Sequence, residues 1–184
     1  MKEIEIKARL RNKAAVVEKL KARGCVFEKP VKQKDTVYAE NVGSLKNFRT
    51  NKVFLRLRVT NGSKIFFTIK KRMVNDLDSV EHEVEVSSRD EMEKALRLMG
   101  YKEVVRVSKV REITRYEGCE ICVDEVENLG SFIEMEKLSE DGDSVKIQEE
   151  LFRFFLSLGV LPEDRAFSGY DILMMERKDK ERPV

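Results

Sequence analysis

The chain has no tryptophan, a single histidine, three prolines and three cysteines among its 184 residues. Nowhere does it run for about 20 mainly apolar residues, so a helical membrane span is excluded and no membrane partner is expected. Its N-terminus, MKEIEIKARL, has no apolar signal-peptide region, which argues against secretion. Cys25, Cys119 and Cys122 cannot all pair with one another, and a reducing cytoplasmic interior is the simplest setting for them. Cys119 and Cys122 form a C-x-x-C, but His82 is the sole histidine and a zinc site wants four ligands. On a strand, positions i and i+3 also face opposite ways, so these cysteines are read as buried bystanders. Neither sign of charge dominates: 36 Lys and Arg stand against 34 Asp and Glu, for a net charge of +2. A tail-type nucleic-acid binder would carry a large basic excess, so nucleic acid is not the expected partner. The P-loop, the G-x-S-x-G elbow and H-E-x-x-H are absent, which removes the common nucleotide and hydrolase signatures.

What the chain does have is charge. Charged residues make up 38% of it, against roughly 25% in an ordinary domain. The apolar share of 41% recurs in ordered patterns, and the length suits one domain over residues 1–184. Alternation and β-branched content predict strands at 1–10, 35–40, 53–60, 64–71, 79–87, 103–116, 119–127 and 131–138. Amphipathic spacing predicts one helix from Asn12 to Gly24 and another from Ser88, which makes a capping box with Glu91, to Gly100. A third is predicted from Ser144 to Gly159 and a short one after Ser168. Residues 41–52 read as a polar loop and the tail ERKDKERPV as a solvated end.

The charges are sorted by strand. Residues i, i+2 and i+4 share a strand face. Glu3, Glu5, Lys7 and Arg9 therefore stand opposite Ile4, Ile6, Ala8 and Leu10. Acids also gather at Glu81, Glu83 and Glu85 and at Glu134 and Glu136; bases gather at Arg56 and Arg58, at Lys70, and at Lys109 and Arg111. A face merely exposed to water normally mixes signs. Three E-x-E pairs, each followed by a helix and a glycine, read as a loose internal repeat. Each pair sets two carboxylates about 7 Å apart, a costly arrangement that cation sites use. Eight strands can close into a barrel about wide enough for one small ligand. With its charged faces inward, such a barrel would suit a polyanion held by bases and a divalent metal held by carboxylates.

Glu3-Ile-Glu5-Ile-Lys7 matches the E-x-E-x-K signature of the CYTH superfamily, the triphosphate tunnel enzymes. Later segments follow in order: Asp35-Thr-Val-Tyr38, Leu55-Arg56-Leu57-Arg58, Thr68-Ile-Lys70, Glu83 with Glu85, Lys109 with Arg111, Val123-Asp124, Gly130 through Glu136, and Ser168 through Leu173. The chain thus resembles that superfamily over most of its length. The resemblance implies an α+β fold, a closed eight-stranded antiparallel barrel with helices packed outside. It implies that Lys7, Arg56, Arg58, Lys70, Lys109 and Arg111 bind a triphosphate such as ATP. Glu3, Glu5, Glu83, Glu85, Asp124, Glu134 and Glu136 would hold Mg2+ or Mn2+, with Glu5, Lys7 and Asp124 at the reacting centre. Asp124 shares a strand face with Cys122 and Val126 rather than with an acidic stripe; a bulge near Glu125 is one way to re-aim it.

The Ser168–Leu173 ending leans toward the class IV adenylate cyclase branch, which converts ATP to cyclic AMP and pyrophosphate. The second expectation is a triphosphatase acting on inorganic, thiamine or nucleoside triphosphate. Ile6 and Ala8 depart from the inorganic triphosphatase opening, and the missing tryptophan argues against thiamine triphosphate. A non-catalytic binder of nucleotides or polyphosphate is the reading from another class. A second copy of the chain is a further candidate partner, as a homodimer.

Overall fold

The long strands turn one row of side chains toward the interior of a barrel, and helices cover much of the other row. The computed structural model describes residues 2–40, 44–140 and 142–181. Along the chain come β1 (Lys2–Arg9), α1 (Lys13–Ala22), β2 (Val31–Ala39), α2 (Leu45–Thr50), β3 (Val53–Thr60), β4 (Lys64–Arg72) and β5 (Asp78–Glu85). Next are α3 (Arg89–Leu98), β6 (Lys102–Tyr116), β7 (Cys119–Val126), β8 (Gly130–Ser139), α4 (Ser144–Ser157), the two-residue β9 (Arg165–Ala166) and α5 (Tyr170–Glu181). The strand order β5-β4-β3-β2-β6-β7-β8-β1 closes through a β1–β5 pairing, and all neighbours are antiparallel. The fold is α+β, a closed eight-stranded antiparallel barrel with five helices packed around it.

The closure is uneven. β1 and β8 are paired over the whole length of β1, whereas β1 and β5 share only Glu3↔Ser79 and Ile4↔Asp78. Beyond that point the edge of β1 is taken by β9, at Lys7 and Ala8. Side chains of α4 complete the seam. Gln148 Nε2 donates to the carbonyls of Glu5 at 2.9 Å and Leu77 at 3.3 Å, and Ser144 Oγ donates to the buried Asp78 at 2.6 Å.

Two of the three apolar cores lie outside the barrel, and the third fills one of its ends. Leu20 of α1 and Phe155 and Leu158 of α4 pack on Ile6, Ile121 and Ile133. Leu96 of α3 packs on Tyr38, Leu55 and Leu57. At one end Phe48 of α2 and Ile172 of α5 meet Val105 and Phe132, and α5 enters the barrel with Tyr170. Each large side chain fully buried this way contributes about 1.5–3 kcal/mol, so the interior of the barrel is free to be polar.

The helix signals behave as their chemistry requires. Asn12 accepts from Ala15 N at 3.1 Å and Ser88 from Glu91 N at 3.3 Å, capping α1 and α3. Gly100 follows α3 at φ +91°, a conformation that needs no Cβ. Three segments differ from expectation. Within 41–52, residues 45–50 form α2, because Ser44 caps it and Phe48 is fully buried; 41–43 lie outside the described residues. The tail from Glu176 continues α5 to Glu181, held by Arg49–Glu176 and Arg177–Glu181 ion pairs, and 182–184 lie outside the described residues. β2 begins at Val31 because residues 31–34 pair with Arg111–Ser108.

Candidate active site

The inward row of each strand is the charged row seen in the sequence. Strand order then groups the signs. β8, β1 and β5 are adjacent and bring Glu134, Glu136, Glu3, Glu5, Glu81 and Glu83 to one wall. β4, β3, β2 and β6 are adjacent and bring Lys70, Arg56, Arg58, Lys109 and Arg111 to the other. Each wall carries one opposite charge, Lys7 among the acids and Asp35 among the bases. Between them lies a cavity of about 330 Å³, lined by ten carboxylates and seven cations.

The cations are gripped by protein carboxylates. Arg58 binds Asp35 as a fork, Nε to Oδ1 at 2.8 Å and Nη2 to Oδ2 at 2.7 Å. Arg111 grips Asp124 likewise, with Nε at 2.8 Å, and pairs with Glu134. Lys7 lies 2.9 Å from Glu134 and 3.0 Å from Glu5. Lys70 pairs with Glu81, and Arg56 donates to Glu83 at 3.2 Å. Ionisation follows this pairing. Burial alone would raise the Asp35 carboxyl, but Arg58 overrides it and holds it well below the usual range. Burial likewise opposes ionisation of Glu134, and Arg111, Lys7 and Lys109 override it. Burial would lower Lys7, yet Glu134 and Glu5 hold its ammonium above the ordinary value. Lys109 is pushed down to about 8 by burial and by the neighbouring Arg111.

The acidic wall is under-compensated. Burial, then Glu81 and Glu136, push Glu3 up to about 8, and Glu3 and Glu81 share a hydrogen bond. Burial, then Glu5, Glu81 and Glu120, push Glu136 up to about 7. Burial and Glu134 also raise Glu5, whose Oε1 is buried and touches Lys7 only as an ion pair, outside hydrogen-bond geometry. These all-oxygen donors and their surplus charge fit a hard divalent cation. Among the described residues no three acids already stand in a metal-holding cluster, so a cation would draw them out of their present pairings. The wall also sets a pH dependence. Glu3 and Glu136 ionise near pH 4.5 when unfolded and at about 8 and 7 when folded. Between those limits the folded state binds more protons, so stability falls as pH rises. Thermal melts of metal-free protein are expected to show a falling melting temperature from about pH 5 to 8, flattened by Mg2+ or Mn2+; a flat profile without metal refutes the crowding.

Of the residues expected from the sequence, Glu3, Glu5, Glu83, Glu134 and Glu136 and all six cations line the cavity. Glu85 lies outside the lining, exposed near the end of β5. Asp124 is on the lumen face but fully buried beneath its partners, held by Arg111, by Lys109 at 3.4 Å and by the Tyr170 hydroxyl at 2.9 Å. No bulge turns it inward: β7 stays in register with both neighbours, and Glu120, Cys122 and Asp124 share the lumen face. Cys119 points outward into the α4 core, and all three cysteines are free. Sequence reasoning assigned no role to Glu81, Asp35, Arg72 or Tyr170. Arg72 continues the Thr68-Lys70 alternation one step, and its guanidinium lies 4.3 Å from the Phe54 ring centre. Tyr170 carries Lys7 Nζ 4.0 Å over its ring, a placement only the fold supplies.

Known proteins are similar to this chain in sequence and in fold. MJ0240 of Methanocaldococcus jannaschii, provisionally named an adenylate cyclase, is 34% identical over 173 residues, covering 92% of this chain and 97% of its own. The structure of PH1819 from Pyrococcus horikoshii OT3 superposes with a TM-score of 0.78 at 28% identity, covering 95% of this chain and 99% of that one. HpAC1 from Hippeastrum, a provisionally named adenylyl cyclase described as having a dominant triphosphatase activity, superposes with a TM-score of 0.62 at 16% identity over 99% and 97% of the two chains. A family model described as CYTH domain matches residues 1–170, and the chain belongs to the CYTH family.

Proposed function

We propose that the chain is a divalent-metal-dependent enzyme that acts on the phosphate chain of a triphosphate, converting ATP to cyclic AMP and pyrophosphate. The observation that carries this is the division of one cavity into an acidic and a basic wall. Ten carboxylates against seven cations leave the lining short of positive charge, so a polyanion cannot enter without cations to accompany it. Arg56, Arg58, Lys70, Lys109, Arg111 and Lys7 would bind phosphate oxygens; the arginines can do so as forks. Glu3, Glu5, Glu81 and Glu136 would hold Mg2+ or Mn2+, with Glu83 and Glu134 beside them. The metal, when bound, neutralises charge on the phosphates and polarises the phosphorus under attack. Phosphoryl chemistry needs little beyond such positioning and charge stabilisation. Lys7 stays protonated and serves as a fixed charge, while Lys109, with its lowered pKa of about 8, is suited to exchange a proton near neutral pH. Asp124 acts from behind, holding Arg111 and the Tyr170 hydroxyl in place.

The name of MJ0240 supports cyclisation as the outcome. Hydrolysis is the second reading, because the same walls serve it when water rather than the ribose 3′-oxygen meets a phosphorus in line, and HpAC1 shares this fold. Incubation with ATP and Mn2+ followed by separation of products tests both. Cyclic AMP with pyrophosphate is expected. ADP or phosphate without a cyclic product replaces cyclisation by hydrolysis, and binding without turnover of any triphosphate makes the chain a nucleotide or polyphosphate binder.

A further inference from the structure

The phosphate-binding groups leave one lumen-facing aromatic residue without an assignment. Phe66 stands on β4 two residues before Thr68, opposite Arg58 on β3 and Glu85 on β5. By alternation it faces inward, since its neighbour Phe67 packs outward with Leu55 and Leu57. Phe66 is half-buried and belongs to none of the three apolar clusters. Among the described residues no ring or cation is stacked on it, whereas the two aromatic rings of the cavity lining are already covered. Lys7 and Lys109 lie over Tyr170, and Arg72 and Lys70 lie over Phe54.

A second, independent feature lies on the other side of Arg58. Gln33 shares the lumen row of β2 with Asp35, in register with Lys109 on one side and Thr60 on the other. It is 8% exposed, and its Oε1 is buried with no hydrogen-bond partner. A buried amide oxygen left unpaired is unfavourable and marks a place where a partner is missing.

We propose that Phe66 and Gln33, which stand beyond the cavity lining, are the residues that recognise the base of the nucleotide. The inference rests on the nucleoside triphosphate reading and adds which residues hold the base. Phe66 lies about 7 Å further along β4 than Thr68, toward the end of the barrel that α5 does not enter. A sugar between the phosphates and a planar ring spans a gap of that order. The ring face would stack on Phe66, a contact that tolerates any base. The amide of Gln33 offers a donor and an acceptor side by side, which matches the N6–N7 edge of adenine.

Titration calorimetry with two probes, a non-hydrolysable ATP analogue and inorganic tripolyphosphate, tests this in the presence of Mg2+. Phe66→Ala is expected to weaken the nucleotide about tenfold or more and to leave tripolyphosphate unchanged. Phe66→Tyr should restore nucleotide affinity, and Gln33→Leu should reduce preference for adenine over uracil analogues. Equal loss for both probes, or no loss for either, overturns the proposal while leaving the triphosphate reading intact. Failure of the unaltered protein to bind either probe overturns that reading, and this proposal with it.

Discussion

Glu136→Gln is expected to abolish turnover while raising the melting temperature of the metal-free protein at pH 8. Both effects come from the same crowding. Glu136 stands opposite Glu5 and is raised to about 7 by burial and by Glu5, Glu81 and Glu120. At pH 8 it is mostly ionised, and the folded state bears the repulsion. The amide keeps the shape and removes the charge, so stability rises by about 1–2 kcal/mol, reduced from the full shift because the side chain is partly solvated. At pH 4.5, where the native carboxyl is already protonated, the gain disappears. Loss of one carboxylate from the proposed cation site lowers turnover by about a hundredfold or more. Steady-state assays and thermal melts at the two pH values check both halves. A variant that is less stable at pH 8, or that keeps its activity, contradicts the metal-holding role of the wall.

Arg111→Met is expected to have the largest effect on stability. Arg111 holds both oxygens of the fully buried Asp124 and also pairs with Glu134. Its removal leaves two buried acids facing Lys109 and Lys7 alone. Breaking a buried pair from one side costs about 3–5 kcal/mol. In a chain of this size that corresponds to a fall in melting temperature of about 6–20 °C. The loss is fully present at neutral pH and shrinks as the stranded acids protonate on acidification. Adding Asp124→Asn should recover part of it. By contrast Lys21→Met, which breaks the exposed Lys21–Glu18 pair, should move stability by no more than about 0.5 kcal/mol. Denaturation of the three variants beside the unaltered protein decides the matter, and an Arg111→Met protein as stable as the Lys21→Met protein refutes the account.

Period-two patterning made most of the site legible. Alternation in β1 and β3 put the right side chains on the inner face, since the opposite face is apolar from Ile4 to Ala8 and from Val53 to Val59; in β6 and β8 the like-charged pairs Lys109 with Arg111 and Glu134 with Glu136 marked it instead. The sequence could not show that the acid-bearing strands are neighbours and the base-bearing strands are neighbours. β1 meets β5 and β8 only through barrel closure, and no local signal encodes it. Glu81 was hidden among Glu83 and Glu85, because alternation sets the face of a residue but not its depth. Glu81 lies deep enough to reach Lys70, while Glu85 stands outside the cavity. Asp124 looked misplaced beside Cys122 and Val126, yet all three share the lumen face; a buried thiol simply carries no charge to announce it. α2 was missed because six residues are too few for amphipathic periodicity to register, and β9 because two residues leave no pattern.

The brief seam between β1 and β5 bears on how the chain folds. Lys2 lies opposite Ser139, so the first strand made has its full-length partner near the far end of the chain. Hairpins such as β3–β4 and β6–β7 are local and can form early, but β1 must wait for β8 before its ladder exists. The acids of β1 and β8, Glu3, Glu5, Glu134 and Glu136, are therefore brought together last, when Gln148 and Ser144 of α4 arrive to secure the seam. A chain interrupted before β8 holds the complete basic wall but, of the acidic wall, only the β5 acids Glu81 and Glu83 paired in place. The strands proposed to bind phosphate thus precede, along the chain, the strand that completes the proposed cation site.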